Sequence, residues 1–196
     1  MPRLRELADI STGYTLRGSL PANDAASTRA LQAGDLSDDG IVDFEALHRA
    51  DLDELPDRFI LQPGNVAFRC RGQFRAVHFA SGPRIAVMAP ILIVRLREPA
   101  LDPGFLTLAL NSGPVRSRLR NEARGSSIQF LGKAEVEEID IPVPPMQRQR
   151  AAIAYAALAD QERQLQIQLS ALRYRALDGF FDNIGGDHPP GRGVRA

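Results

Sequence analysis

Apolar positions divide the chain into two unlike parts, and the first part extends to about residue 144. Within it, short apolar runs alternate with Gly- and Pro-containing turns, which is typical of strands mixed with short helices. Residues 65–71 and 74–80 alternate apolar and polar side chains on either side of Gly72-Gln73, which predicts a β-hairpin. Similar patterns predict further strands over 28–36, 40–44, 85–88, 91–96 and 139–143, and helices over 103–111 and 114–123.

After Pro144-Pro145 the pattern changes to one uninterrupted helical period. Residues 146–183 contain no proline and a single glycine, Gly179. Side chains recur there at alternating spacings of four and three, which is the pattern of a coiled-coil seam. The seam consists of Ala151, Tyr155, Leu158, Glu162, Leu165, Leu169, Leu172 and Ala176.

These patterns predict the α+β class. We expect a mixed α/β domain over residues 1–144, one long C-terminal coiled-coil helix over 145–184, and a disordered tail over 185–196. A helix of 38 residues would be roughly 57 Å long, which exceeds the width of a compact domain of this size. Its seam therefore predicts a partner helix; the alternative is a helix that folds back onto its own domain.

The even charge balance hides a strong gradient along the chain. The 196 residues hold 24 basic and 24 acidic side chains, and zero net charge argues against a protein that binds polyanions. However, residues 58–133 hold twelve basic side chains against three carboxylates, whereas residues 1–57 have a net charge of −7 and residues 134–196 one of −2. The basic middle third predicts a surface for phosphate; the alternative is a folded surface that mixes both charges.

Motifs for catalysis are missing from the sequence. The three histidines are scattered, Cys70 is the single cysteine, and no Gly-rich loop for a nucleotide occurs. We therefore predict that the chain is not an enzyme and holds neither a metal nor a cofactor. No apolar run is long enough for a membrane span, and residues 1–6 lack the apolar core of a signal peptide, so we expect a cytoplasmic protein.

A series of short motifs resembles the specificity subunits of type I restriction–modification systems. The series covers residues 4–183 in the order found in those subunits, and the junction around residues 141–153 is its most specific part. The motifs are Leu4-x-x-Leu7-Ala8-Asp9-Ile10-x-x-Gly13; Pro63-Gly64-Asn65-Val66; Phe105-Leu106 through Leu110-Asn111-Ser112; Gly125-Ser126-Ser127-Ile128-Gln129 with Lys133; and Ile141-Pro142-Val143-Pro144-Pro145-Met146 with Gln149 and Ile153.

The resemblance implies a non-catalytic DNA target recognition domain, followed by a helix that acts as a spacer and docking surface. Full-length members of the family have two such domains and two long helices that pair antiparallel, whereas this chain has one of each. We therefore expect a homodimer through the helix that binds double-stranded DNA at a split palindromic target. The implied protein partners are a DNA methyltransferase (modification) subunit and, as a further candidate, a restriction/translocase subunit.

Candidate DNA-binding side chains lie mainly in the basic middle third. Arg69 and Arg71 alternate with apolar residues, so we expect both on the polar face of the hairpin strand. Arginine pairs bidentately with guanine or phosphate, and hydroxyl and amide groups suit phosphates and base edges. The predicted DNA-binding set is Arg69, Arg71, Gln73, Arg75, Arg116, Arg120, Ser126, Ser127, Gln129 and Lys133, and the predicted helix-pairing set is Tyr155, Leu158, Leu165, Leu169, Leu172 and Ala176.

Other interpretations remain open at this point. Each candidate segment has a structural alternative, namely a solvated polar surface that binds no ligand. For the whole chain, the second hypothesis is a coiled-coil regulatory or decoy protein that binds methyltransferase subunits without recognising DNA. Neutralising Arg69, Arg71 and Lys133 should flatten the salt dependence of DNA binding only under the first hypothesis.

Overall fold

The computed structural model describes residues 1–20, 23–36, 42–97, 99–123 and 129–185. The chain divides into two compact units, Met1–Ile153 and Ala154–Ala196. The named elements of the described residues are α1 (Leu4–Leu7), β1 (Ala8–Thr12), β2 (Arg29–Leu31), β3 (Ile60–Leu61), β4 (Val66–Arg69), β5 (Arg75–His78), β6 (Ile85–Val87), β7 (Ile91–Leu96), α2 (Pro103–Asn111), α3 (Gly113–Glu122), α4 (Lys133–Glu137) and α5 (Met146–Gly185).

A four-stranded antiparallel sheet, in the order β1-β7-β4-β5, forms the centre of the first unit. Strands β4 and β5 form the predicted hairpin, and their register places Arg69 opposite Arg75. The chain reverses next to Gly72, whose φ of +74° lies in the left-handed region that glycine adopts without strain.

Both faces of this sheet are covered. On one face, Val66 and Phe68 pack into a cluster with residues of α1, α2, α3 and α4. On the other face, Ala67 and Ile93 pack against the second sheet, which has the order β2-β6-β3. The apolar run of residues 91–94 in β7 agrees with this arrangement, because a strand that is covered on both sides has no solvent-facing positions along its buried length.

Two polar side chains from the motifs that resemble the specificity subunits form hydrogen bonds with backbone groups. The Asn111 amide exchanges two hydrogen bonds of 2.9 Å with the backbone of Ala76, which lies on the edge strand β5. The side chain of Gln149, which is fully buried, accepts from the Asp102 N–H at 2.8 Å and donates to the carbonyls of Ala100 and Pro144 at 2.8 and 2.7 Å. These contacts anchor the first turns of α5 to the rest of the first unit.

Two of the predicted strands are not observed in the described residues, and residues 40 and 41 of one of them lie outside those residues. Residues 42–44 are not extended into a strand, because the Asp43 side chain accepts from the N–H groups of Glu45 and Ala46 and forms a turn. Residues 139–143 form a single antiparallel bridge, between Arg3 and Asp140. The prolines that begin at Pro142 lack the N–H groups that a strand ladder needs.

The long C-terminal helix is confirmed, and α5 is 40 residues long. Its predicted seam is exposed to solvent: Tyr155 is 77% exposed and Leu158 is 65% exposed. The domain bounds 1–144, 145–184 and 185–196 stay predictions, and residues 186–196 of the predicted tail lie outside the described residues.

Candidate nucleic-acid interface

Four of the ten predicted DNA-binding side chains line one pocket of about 370 Å³. Residues that are far apart in sequence contribute to this pocket, since one part comes from the turn after β4 and another from α3. The pocket is lined by Gly72, Gln73, Phe74, Arg116, Arg120 and Gln129.

Helix α3 presents its arginines on two different faces. Arg116 and Arg120 are four residues apart, which places them on one face of the helix, and both line the pocket. Arg118 is paired with two carboxylates instead: its Nε lies 2.8 Å from Glu122 and its Nη1 lies 2.6 Å from Asp140. Within the described ranges, no carboxylate forms an ion pair with Arg116 or Arg120, so their charges are available to an anionic ligand.

The local fold that makes this pocket depends on backbone hydrogen bonds. The N–H of Gly72 donates to the Gln129 carbonyl at 2.7 Å, and the N–H of Leu131 donates to the Cys70 carbonyl at 2.9 Å. The Gln129 side chain then donates to the carbonyl of Arg120 at 3.3 Å. Together these bonds tie the segment after α3 to the hairpin turn and hold the amide of Gln129 beside the helix.

Arg69 is not on a solvent-facing polar face, and the expectation from the alternating pattern is wrong on this point. Arg69 lies on the same side of β4 as Ala67, which packs against the second sheet, and the residue is half-buried. Its guanidinium donates to the carbonyls of Leu36 at 3.1 Å and Arg71 at 3.0 Å. Its cross-strand neighbour Arg75 is half-buried as well. A role for either arginine in DNA binding stays a prediction.

Arg71 and Phe130 form an exposed pair beside the pocket. Their backbones make an antiparallel bridge, Arg71 is exposed, and the Phe130 ring is 45% exposed. Phe130 is not among the residues predicted from the sequence to bind DNA. A usable signal exists, because Phe130 is the single aromatic residue between Phe105 and Tyr155 and directly follows a candidate residue, Gln129.

The remaining candidates are not part of the pocket lining. Lys133 begins α4, and its Nζ lies 3.4 Å from a carboxylate oxygen of Glu137. This charge is therefore paired inside the helix. Ser126 and Ser127 lie outside the described residues. For these three residues a DNA contact remains a prediction.

Other features of the described part of the chain bear on metal binding, membrane insertion and thiol reactivity. There, no three His, Cys, Asp or Glu side chains are grouped so that they could bind a metal. Nor is any described helix both long and apolar enough to cross a bilayer. The Cys70 thiol is buried and donates to the Pro90 carbonyl at 2.9 Å, and its burial raises its pKa to about 11. The thiol is thus neutral and a poor nucleophile at neutral pH.

Comparison with known proteins identifies the architecture. No family model and no curated protein matches the sequence. Among solved structures, the type I restriction–modification S subunit from M. genitalium matches 91% of this chain and 43% of its own, with 16% identity and a TM-score of 0.58. The HsdS subunit from Thermoanaerobacter tengcongensis matches 89% of this chain and 39% of its own, with 19% identity and a TM-score of 0.57. The chain has the S-subunit fold.

A further match is consistent with this result. A chain from a structure on the assembly and conformational transition of the type I R-M system covers 90% of this chain and 40% of its own, with 20% identity and a TM-score of 0.56. The α+β class and the resemblance seen in the motifs are therefore confirmed at the level of the fold. The chain spans about two fifths of the length of these S-subunit-like structures.

Proposed function

We propose that this chain is a DNA sequence-recognition (specificity) subunit of a type I-like restriction–modification system. It is non-catalytic, binds one DNA half-site and recruits methyltransferase subunits. The observation that carries the proposal is the pocket of Gln73, Arg116, Arg120 and Gln129 on an S-subunit fold. Two guanidinium groups and two amides are the side chains that proteins use for phosphates and base edges.

The chemistry of the pocket fits duplex DNA better than a small anion. Arginine binds phosphate and can pair bidentately with guanine, whereas glutamine can pair bidentately with adenine. In this pocket both residue types lie on the same surface, next to the exposed Arg71. Phosphate contacts would fix the register of the protein on the duplex, and the amides would add base discrimination.

We propose further that two copies pair through α5. The predicted seam includes Leu165, Leu169 and Leu172, which are 57%, 47% and 56% exposed in the single chain. A knobs-into-holes interface between two helices would bury them, and a two-fold axis would place two recognition units on inverted half-sites. The same helix pair would provide the surface that recruits a methyltransferase subunit and, with it, a restriction/translocase subunit.

A salt titration of DNA binding tests the proposed recognition function. The full chain and the double variant Arg116→Ala/Arg120→Ala are titrated against a pool of mixed-sequence 40-base-pair duplexes at several salt concentrations. Because each phosphate contact contributes about 0.9 to the slope of log affinity against log salt, the double variant should lose nearly two units of slope if both arginines contact phosphates.

The matched control is Arg118→Ala, on the same helix. It removes the same charge from a side chain that is already paired with Glu122 and Asp140, so the slope should stay close to that of the wild type. Equal slopes in the wild type and the double variant, or no binding by the wild type, would overturn the proposed DNA contact. The second outcome would favour the decoy hypothesis if a methyltransferase subunit still bound to the chain.

A further inference from the structure

One aromatic side chain is exposed in a unit that otherwise buries its large apolar residues. Among the described residues of Met1–Ile153, the exposed large hydrophobic side chains are Met1 and Phe130. All others in the described chain lie on α5. Phe130 is therefore an exception within the recognition unit, and the core of that unit does not account for it.

Phe130 is held in a defined place. Its neighbour Leu131 is 1% exposed and packs into the helix-side cluster, and the Leu131 N–H donates to the Cys70 carbonyl. On the other side, the Gln129 carbonyl accepts from Gly72. The bridge to Arg71 completes this short ladder. The ring is thus presented by a backbone that is bonded on both sides of it.

The surroundings of Phe130 are polar and basic. The residue preceding it, Gln129, lines the pocket of Arg116 and Arg120, and its bridge partner Arg71 is exposed. A single ring among cations and amides is a poor match for an apolar protein surface. It is a good match for DNA, where arginines bind the phosphates and an apolar group contacts a base.

We propose that Phe130 is a specificity-determining residue that makes an apolar contact with a base of the DNA target. This inference rests on the proposed function and adds to it, since Arg116 and Arg120 supply the charge whereas Phe130 supplies a contact that depends on the base. Two base features offer this chemistry: the C5 methyl group of thymine, and the face of a base at an unstacked step.

The test compares the full-length wild type with Phe130→Ala and Phe130→Leu. A randomised pool of 40-base-pair duplexes is first enriched with the wild type, and the affinities of all three proteins for the enriched duplex and for the unselected pool are then measured. Phe130→Ala should bind the enriched duplex about 10- to 100-fold more weakly, which corresponds to the usual effect of one base-pair mismatch. Its affinity for the unselected pool should stay within about twofold of the wild type, and its salt slope should be unchanged.

Further measurements separate the two base features. If the thymine methyl is the contact, replacing that thymine with uracil should weaken the wild type and leave Phe130→Ala unaffected. If the contact is an unstacked step, 2-aminopurine placed at the affected position should brighten on binding the wild type only. Phe130→Leu keeps an apolar group and should retain part of the preference for the enriched duplex. If Phe130→Ala melts at a lower temperature than the wild type, Phe130→Leu becomes the deciding variant.

Several results would overturn the inference. One is a Phe130 variant that has the same affinity as the wild type and enriches the same sequence. A second is a variant whose affinity falls equally for enriched and unselected DNA. A third is a variant with a reduced salt slope. A variant that binds DNA normally but loses a methyltransferase subunit would show that the ring contacts protein. If the wild type binds DNA and the variants do not differ from it, only this inference fails; if the wild type does not bind, the proposed function fails as well.

Discussion

Large apolar side chains are mostly buried in the proposed recognition unit, Met1–Ile153, and exposed on the part of α5 that follows it. Phe68, Leu106 and Leu110 of the recognition unit are fully buried, whereas Tyr155 and Leu158 of α5 are 77% and 65% exposed. The fold of the first unit therefore buries these hydrophobic side chains by itself. The helix carries the same class of residue at coiled-coil spacing, and in the proposed dimer a second helix would bury it.

The arginines show a similar division inside the recognition unit. Arg69 and Arg118 are used by the fold, one on backbone carbonyls and the other on two carboxylates. Arg116 and Arg120 line a pocket instead. Residues of one type and similar sequence context thus serve different purposes, and only the tertiary contacts distinguish them.

The largest expected effect concerns pairing of the helices. Leu165→Asp/Leu172→Asp places two charges in the proposed seam, where burial without a partner is strongly unfavourable. We expect the dissociation constant of the dimer to rise by at least about 1,000-fold. This is about 4 kcal/mol, since each factor of ten corresponds to about 1.4 kcal/mol. Sedimentation equilibrium at micromolar concentration should then show a monomer in place of the wild-type dimer.

A matched control for the helix is Ile167→Asp. Ile167 is 56% exposed and lies on the opposite side of α5 from the seam. Its replacement should leave the dimer intact. Two findings contradict the proposed seam: a wild-type chain that is monomeric under these conditions, and a seam variant that dimerises as well as the control.

A second prediction applies one substitution to both regions. Leu110→Ala removes a fully buried side chain and should lower the free energy of unfolding of the recognition unit by about 2–5 kcal/mol. Leu177→Ala removes a side chain of α5 that is 49% exposed and lies outside the proposed seam, and it should lower the free energy of unfolding by less than about 0.5 kcal/mol. Urea titrations followed by near-ultraviolet circular dichroism measure both changes in unfolding free energy. Similar decreases for the two variants would contradict the difference in burial between the two regions.

A third prediction concerns Gln149, which holds the first turns of α5 within the first unit. Gln149→Met keeps the volume of the side chain but leaves one N–H and two carbonyls without their partner, so we expect a loss of about 2 kcal/mol. The control is Gln147→Met, on the exposed side of the same helical turn, which should change stability by less than about 0.5 kcal/mol. Equal unfolding midpoints for the two variants would show that Gln149 does not anchor α5.

The smallest expected effect is an acid dependence confined to the recognition unit. Hydrogen bonds from Thr28 and Ser27 hold the pKa of Asp53 below its ordinary value of 3.8. Because the folded state favours the carboxylate, this contribution is present above the ordinary value and is lost as the pH falls through the lower folded-state pKa. Asp53→Asn should therefore flatten the fall in unfolding free energy below about pH 4. An acid profile that matches the wild type would contradict this assignment.

Much of the fold follows from local pattern, as the exact bounds of α2 and β7 illustrate. These segments have strong periodicity or an uninterrupted apolar run, and their tertiary environment agrees with it. The position of Arg69 could not be predicted in the same way. Alternation placed it on a polar face, but the second sheet, assembled from residues 29–87, covers that face.

The candidate site was predictable in part. The i,i+4 spacing of Arg116 and Arg120 predicted a shared face, but their proximity to Gln73 and Gln129 depends on backbone bonds between residues 70–72 and 129–131. No local pattern encodes such bonds. The roles of Asn111 and Gln149 could not be predicted for the same reason. The motifs contain both residues, but only the tertiary contacts show which backbone groups they bind.

The most direct test of the account is selection of DNA by the unmodified full-length chain from a randomised 40-base-pair duplex pool. The account predicts enrichment of two identical half-sites in inverted orientation, separated by a gap of constant length, since a two-fold helix pair holds both recognition units at a fixed distance. A pool that remains random after repeated rounds of selection would contradict the claim that this chain recognises DNA sequence.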